Sequence, residues 1–210
     1  MKYFGYIKEE KKPEDYVFGS YSKVPNIELR PDHDWRGVRP LYELQAPKFE
    51  TYACVSETTT KIEAKLAKQI FNAEENWSAR FLAAITDTDV KGGNSPGVVA
   101  EARRKLGSIA EYLYPTEKAE TFEDYYKEIS YSVRCEARKI PRTRDFLHDI
   151  VPSDPEAVYD ALRFSPLGAG VYAWVRDGEY YIFPDGAQPN HDTTIVFGKK
   201  EEYFIIEDSY

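Results

Sequence analysis

Between Cys54 and Phe71 apolar residues recur every fourth position, and after Pro166 they alternate. That change of period constrains the fold more than any other feature of the chain. Ile62, Leu66 and Ile70, widened by Ala67 and Phe71, make the stripe of a helix expected over Cys54–Phe71. Thr and Glu fill its early turns and Lys61, Lys65 and Lys68 come later, the order that a helix dipole favours. Beyond Pro166, GAGVYAWV and EYYIF flank Asp177-Gly178, a hairpin turn signal. TTIVFG and EYFII then flank the polar turn Lys199-Lys200-Glu201. Helices first and an antiparallel sheet afterwards define an α+β plan with two segregated lobes.

Three further helix starts are legible. Ser95-Pro96 opens one with Val98, Val99, Ala102 and Leu106 as its stripe and Gly107 as its stop. Thr121 with Asp124 reads as a capping box, and Ser153-Asp154-Pro155-Glu156 as a clearer one, opening a short helix with Val158 and Leu162. The opening residues, rich in Pro and charge, read as an extended arm laid over the body. At 210 residues the chain suits a single domain: an arm over 1–33, a helix-rich lobe over 34–115 and a mostly β lobe over 116–210.

Charge and composition exclude several classes. A net charge of −8 argues against nucleic-acid binding, which needs a basic face. Arg103-Arg104-Lys105 reads as a solvated helix face. No run approaches the ~18–20 apolar residues of a membrane span, and the first residues lack a signal-peptide core. The expected location is therefore cytoplasmic or virion-associated, with no membrane partner. Two cysteines, Cys54 and Cys135, are expected to be free thiols. Metal-ligand spacings, a phosphate loop and a dinucleotide fingerprint are missing, so no metal and no cofactor is expected. The 17 tyrosines read as sheet packing and sheet surface.

Chemistry concentrates at three positions. Cys54 stands at a helix start, where amide dipoles favour a thiolate. His191 follows 137 residues later, just before a strand. Asp208 ends the next strand, so a hairpin places it beside His191. A thiol, an imidazole to take its proton and a third group to fix the ring make a nucleophilic site. His33 in the arm and His148 read as surface or capping residues.

Six stretches, in order, resemble the papain-like cysteine peptidases. They are FGYIKEEKKPEDYVFG, HDWRGVRPLYELQ, ACVSETTTKIEA, GGNSPGVVAEARRKLGSIAEYLYP, SDPEAVYDALRFSPLGAGVYA and NHDTTIVFGKKEEYFIIEDSY. The Cys-to-His separation falls inside the roughly 130–150 residues usual there. The resemblance implies a helical lobe and an antiparallel β lobe with the active-site cleft between them. It implies a thiol endopeptidase acting on an extended polypeptide through an acyl-enzyme. Cys54 would be the nucleophile, His191 the base and then acid, and Gln45 the side-chain donor of the oxyanion hole. Gly92 and Gly93 would line the cleft where a substrate strand pairs edge-on.

The sequence also departs from the family. Gln45 lies nine residues before Cys54, a longer gap than usual, and Asp208 stands for the family's asparagine. Val55 and Tyr210 replace two tryptophans, and Thr51 replaces a disulfide cysteine. The family's helical propeptide is not seen, and the sequence stops at Tyr210, where the family continues into further strands. FETYACVS and Asp-Ser-Tyr look more like divergent members from tailed phages and bacteria than like lysosomal or plant enzymes, a resemblance that implies virion or assembly partners. Two alternatives stay open: a non-enzymatic papain-fold binding module, and acyl transfer of the transglutaminase or amidase type.

Overall fold

In a computed structural model, residues 5–13, 15–19, 28–38, 45, 48–89, 92–140 and 146–210 are described. The stretch 39–44, part of the approach to Gln45, lies outside them.

Helix α1 (Cys54–Phe71) has the bounds that its apolar spacing implies, and Asn72 ends it in the left-handed conformation. Its buried face differs from the expected stripe. Ile70 and Phe71 are exposed, whereas Thr58, Lys61, Glu63 and Lys65 are buried. The cause is that α1 packs against helices and sheet together: α2 (Ala79–Ile85), α3 (Pro96–Leu106), β1 (Leu167–Val171) and β4 (His191–Lys199). Polar groups on such a helix survive only if paired. Lys65 donates to the carbonyls of Trp35 and Val38 and pairs with Glu207 at 3.0 Å. Glu63 is bonded by the Arg103 guanidinium and by Ser108 Oγ at 3.0 Å. Arg103 is thus buried, not solvated, while its neighbour Arg104 pairs with Glu101 at the surface.

Helix α3 starts at Pro96 and stops at Gly107 (φ 92°), but the Ser95 side chain makes no capping bond and Val98 is exposed. Among the described residues three short α-helices follow: α4 (Phe122–Tyr125), α5 (Tyr131–Ala137) and α6 (Pro155–Ala161). Thr121 caps α4 by accepting from Asp124 N, while the Asp124 carboxylate reaches Glu120 N. Asp154, rather than Ser153, caps α6.

The main sheet has the order β1-β4-β5, with β5 spanning Tyr203–Glu207, and both pairings are antiparallel. The turn between β4 and β5 is the one expected. The other hairpin is a correction. GAGVYAWV does not pair with EYYIF along its length; β1 pairs instead with β4, through Gly170↔Asp192 and Val171↔His191. Only β2 (Arg176–Asp177) and β3 (Tyr180–Tyr181) form the small hairpin. Alternation marks a segment as extended but does not name its partner.

The described part of the arm contains no helix and runs along the body. Phe18 N donates to Ile150 O (3.0 Å), and Trp35 N donates to Val196 O (2.8 Å) of β4, just past the stretch that β1 covers. The buried Trp35 indole donates to Leu162 O at 2.7 Å. His33 is buried and stacked on Tyr159, with ring centroids 3.9 Å apart, so it has neither a surface nor a capping role. His148 is exposed near Glu101. Cys54 and Cys135 are both free thiols. Among the described residues, no helix is long and apolar enough to cross a membrane.

Candidate active site

Strand β4 begins at His191, and Asp208 is the first residue past β5. The register Thr194↔Glu207 returns the chain so that these two ends meet. His191 Nε2 lies 2.6 Å from Asp208 Oδ1. Asp208 is held in place: Ser209 N donates to its carboxylate (2.7 Å) and Lys61 Nζ of α1 donates to its carbonyl (2.8 Å). The Trp174 ring stands edge-on to the imidazole at 5.4 Å, and the Tyr210 ring lies 5.2 Å away. The imidazole itself is fully buried, and a bond made from such a low-dielectric position is the stronger for it.

Cys54 is the first residue of α1 and is fully buried. The backbone N–H groups of Asp192 and Val55 are close enough to act on its sulfur. The first of these puts the thiol against the residue that follows His191. Burial pushes the thiol well above its usual range, and the charges of Asp192 and Glu50 add to this, while the two N–H donors oppose it. In this closed arrangement Cys54 is therefore a neutral thiol. The acidification expected from its helix start is outweighed by desolvation.

Gln45 is also at the site. Its Oε1 accepts from Ser209 Oγ (3.0 Å), and its backbone N donates to Ser209 O (2.9 Å). Its Nε2 donates to Glu50 Oε1 and to Tyr210 Oη, both at 2.9 Å. To serve an oxyanion, this amide would have to release one of those partners.

Gly92 and Gly93 face the chain's own arm. Asn94 N donates to Gly5 O (2.9 Å) and Ile7 N donates to Asn94 O (2.8 Å), a parallel bridge centred on Tyr6. Gly93 (φ 78°) approaches the arm so closely that a Cβ would lie 1.9 Å from Gly5 O. The edge expected to bind substrate is taken by residues 5–7. Tyr6 packs on the cluster that contains Cys54, Val55, Phe81 and Leu82.

Asp192 is buried on the same strand as His191. Thr58 beside its carboxylate pulls the carboxyl down, yet burial pushes it up to about 7. A carboxyl raised above its unfolded value of ~3.9 holds its proton more tightly when folded, so stability falls as pH rises from about 4 to about 7. A move of that size corresponds to roughly 4 kcal/mol. Asp192→Asn is expected to flatten this slope in urea melts taken from pH 4 to 8. An unchanged slope would place the titration elsewhere.

Sequence reasoning missed Tyr6, Glu50, Trp174 and Asp192. Only Asp192 carried a signal, as a charge beside His191 at the head of an apolar strand.

No protein-family model matches the chain, and no curated relative matches it. Solved structures do. Its fold is that of the papain-like cysteine proteases. Xylellain, a cysteine protease of Xylella fastidiosa, superposes with a TM-score of 0.70 at 17% identity, over 98% of this chain and 84% of that one. Digestive procathepsin L 3 of Tenebrio molitor larval midgut gives 0.61 at 16% identity over 87% of this chain, which spans 64% of that protein. A cysteine protease of Carica candamarcensis gives 0.58 at 18% identity, over 84% and 80% of the two chains. At such identities the likeness is one of fold.

Proposed function

We propose that this chain is a thiol endopeptidase acting on extended polypeptides through Cys54, His191 and Asp208. The observation that supports the reading is a His191 imidazole bonded to Asp208 at 2.6 Å, with the backbone N–H of the next residue, Asp192, acting on the Cys54 thiol at the start of α1. With Nε2–H donated to Asp208, His191 Nδ1 is the basic nitrogen and takes the thiol proton. The thiolate attacks the substrate carbonyl carbon, and the Cys54 N–H with the Gln45 amide supports the oxyanion. Imidazolium gives its proton to the leaving amine, and the C–N bond breaks. Water, deprotonated by His191, then hydrolyses the thioester. The substrate strand would pair along Gly93–Asn94 once the arm has left that edge.

A second reading, a binding module with no turnover, is favoured by the fully buried Cys54 and by the arm on Gly93–Asn94. Virion or assembly partners and a cytoplasmic or virion location rest on the sequence resemblance alone. Incubation with denatured casein separates the two readings. Peptide release by the native chain or by Tyr6→Ala, abolished by Cys54→Ala, supports the peptidase. No release from either, at any pH from 4 to 8, supports the binding module.

A further inference from the structure

We propose that the space now filled by the Tyr6 ring is a side-chain pocket for arginine or lysine of an incoming peptide, with Asp192 as its floor. This deepens the reading of the cleft as a peptide site and rests on it. Gly170 pairs with Asp192 and Gly168 with Thr194 across β1 and β4. Cross-strand partners project to the same face of a sheet. On that face β1 contributes only hydrogens. A Cβ on Gly170 would lie 2.4 Å from Tyr6 Cζ, and one on Gly168 would lie 3.2 Å from Thr58 Cγ2 and 3.8 Å from Asp192 Oδ2. The Tyr6 ring therefore occupies the volume that Gly170 leaves open, opposite Asp192.

Tyr6 fits the shape of this pocket and leaves its charge unanswered. Asp192 is only 2% exposed, and its Oδ1 has no hydrogen-bond partner among the described residues. Burial, with the charges of Asp192 and Glu9, pushes the Tyr6 phenol up to about 12, so its proton stays on oxygen. A guanidinium reaches about as far from its Cα as a phenol hydroxyl and brings several N–H donors and a positive charge. Pairing a buried carboxylate with a cation relieves the penalty of leaving it alone. The surroundings favour a cation as well: Glu9 lies near Tyr6 and Glu50 near Cys54. Lys61, a cation on the same helix as Thr58, is engaged with the Asp208 carbonyl. A basic peptide side chain thus gains a partner that Tyr6 lacks, and on this ground it displaces the arm.

The test reads cover of Cys54 by the arm and needs no turnover. Iodoacetamide labelling of Cys54 at pH 8.5 is followed in the full chain and in Tyr6→Ala, Tyr6→Phe, Tyr6→Arg and Tyr6→Lys. Tyr6→Ala is expected to label about tenfold faster than the native chain, and Tyr6→Arg or Tyr6→Lys about tenfold slower, with Asp192→Asn abolishing the slowing. Basic variants that label as fast as Tyr6→Ala, or a Tyr6→Phe that alone restores cover, would overturn the proposal. Should the basic variants fail to melt cooperatively, the native chain decides by thermal shift. Benzoyl-arginine amide at millimolar concentration is expected to raise Tm, benzoyl-citrulline amide is not, and Asp192→Asn removes the difference. Equal shifts would overturn the proposal. Because neither measurement depends on hydrolysis, a chain inert toward casein can still show the pocket. Casein hydrolysis with no basic preference would sink the pocket alone.

Discussion

His191→Ala is expected to lower peptide hydrolysis by about 10³-fold or more, because it removes both the base that ionises Cys54 and the acid that protonates the leaving amine. The loss belongs in kcat, since the imidazole acts on the reacting atoms. Asp208 offers a sharper version of the same experiment. Its carboxylate accepts from His191 Nε2 at 2.6 Å, and an asparagine oxygen in its place would accept equally. Asp208→Asn is therefore expected to keep activity within about tenfold, while Asp208→Ala loses far more. Full activity in Asp208→Ala would remove Asp208 from the mechanism.

The largest effect on stability is expected at Arg103. Glu63 of α1 and Arg103 of α3 pair with both side chains only 3% exposed, and Ser108 Oγ completes the carboxylate. The guanidinium also lies 3.8 Å above the Phe146 ring. Burial pushes the Glu63 carboxyl up and the charge of Glu75 adds to this, while Arg103 is the main influence pulling it back. Arg103→Met leaves that charge alone in the core and is expected to cost about 3–5 kcal/mol in urea unfolding at pH 7. The double variant Glu63→Gln with Arg103→Met restores much of the loss, because the penalty lies in the unpaired charge and not in the missing bridge. A loss that is simply additive in the double variant would show that the bridge acts as an independent contact.

The fold was legible where local chemistry decides it. Helix α1 has the bounds its spacing implied, α3 starts at Pro96 and stops at Gly107, and the β4–β5 hairpin turns at Lys199–Glu201. That hairpin is why the nearness of His191 and Asp208 could be read from sequence: it is a local consequence of one turn. What sequence could not supply was long-range. Strand β1 ends at Val171, its partner β4 begins only at His191, and no local signal names that pairing. Buried Lys65 and Arg103 look like surface residues until α1 is seen packed by both helices and sheet.

The arm shows the same limit at the site itself. Composition made residues 1–33 an extended segment, yet nothing in FGYIKEE says that Gly5–Ile7 lies along Gly93–Asn94. Gly93 was legible as a position of close backbone approach, but the strand approaching it is the protein's own. Tyr6 of this stretch packs on the cluster that contains the nucleophile. A cysteine fully buried beside Asp192 and Glu50 is held neutral, so activation requires water and space to return when the arm moves.

The most direct measurement of the central claim is site-resolved iodoacetamide labelling of the arm-opened Tyr6→Ala chain at pH 5.5, with exposed Cys135 as the internal control. If His191 activates Cys54, Cys54 labels at least about tenfold faster than Cys135, and adding His191→Ala abolishes the difference. Equal, slow labelling of the two thiols, unchanged by His191→Ala and rising only toward pH 8–9 as ordinary thiols do, would contradict it.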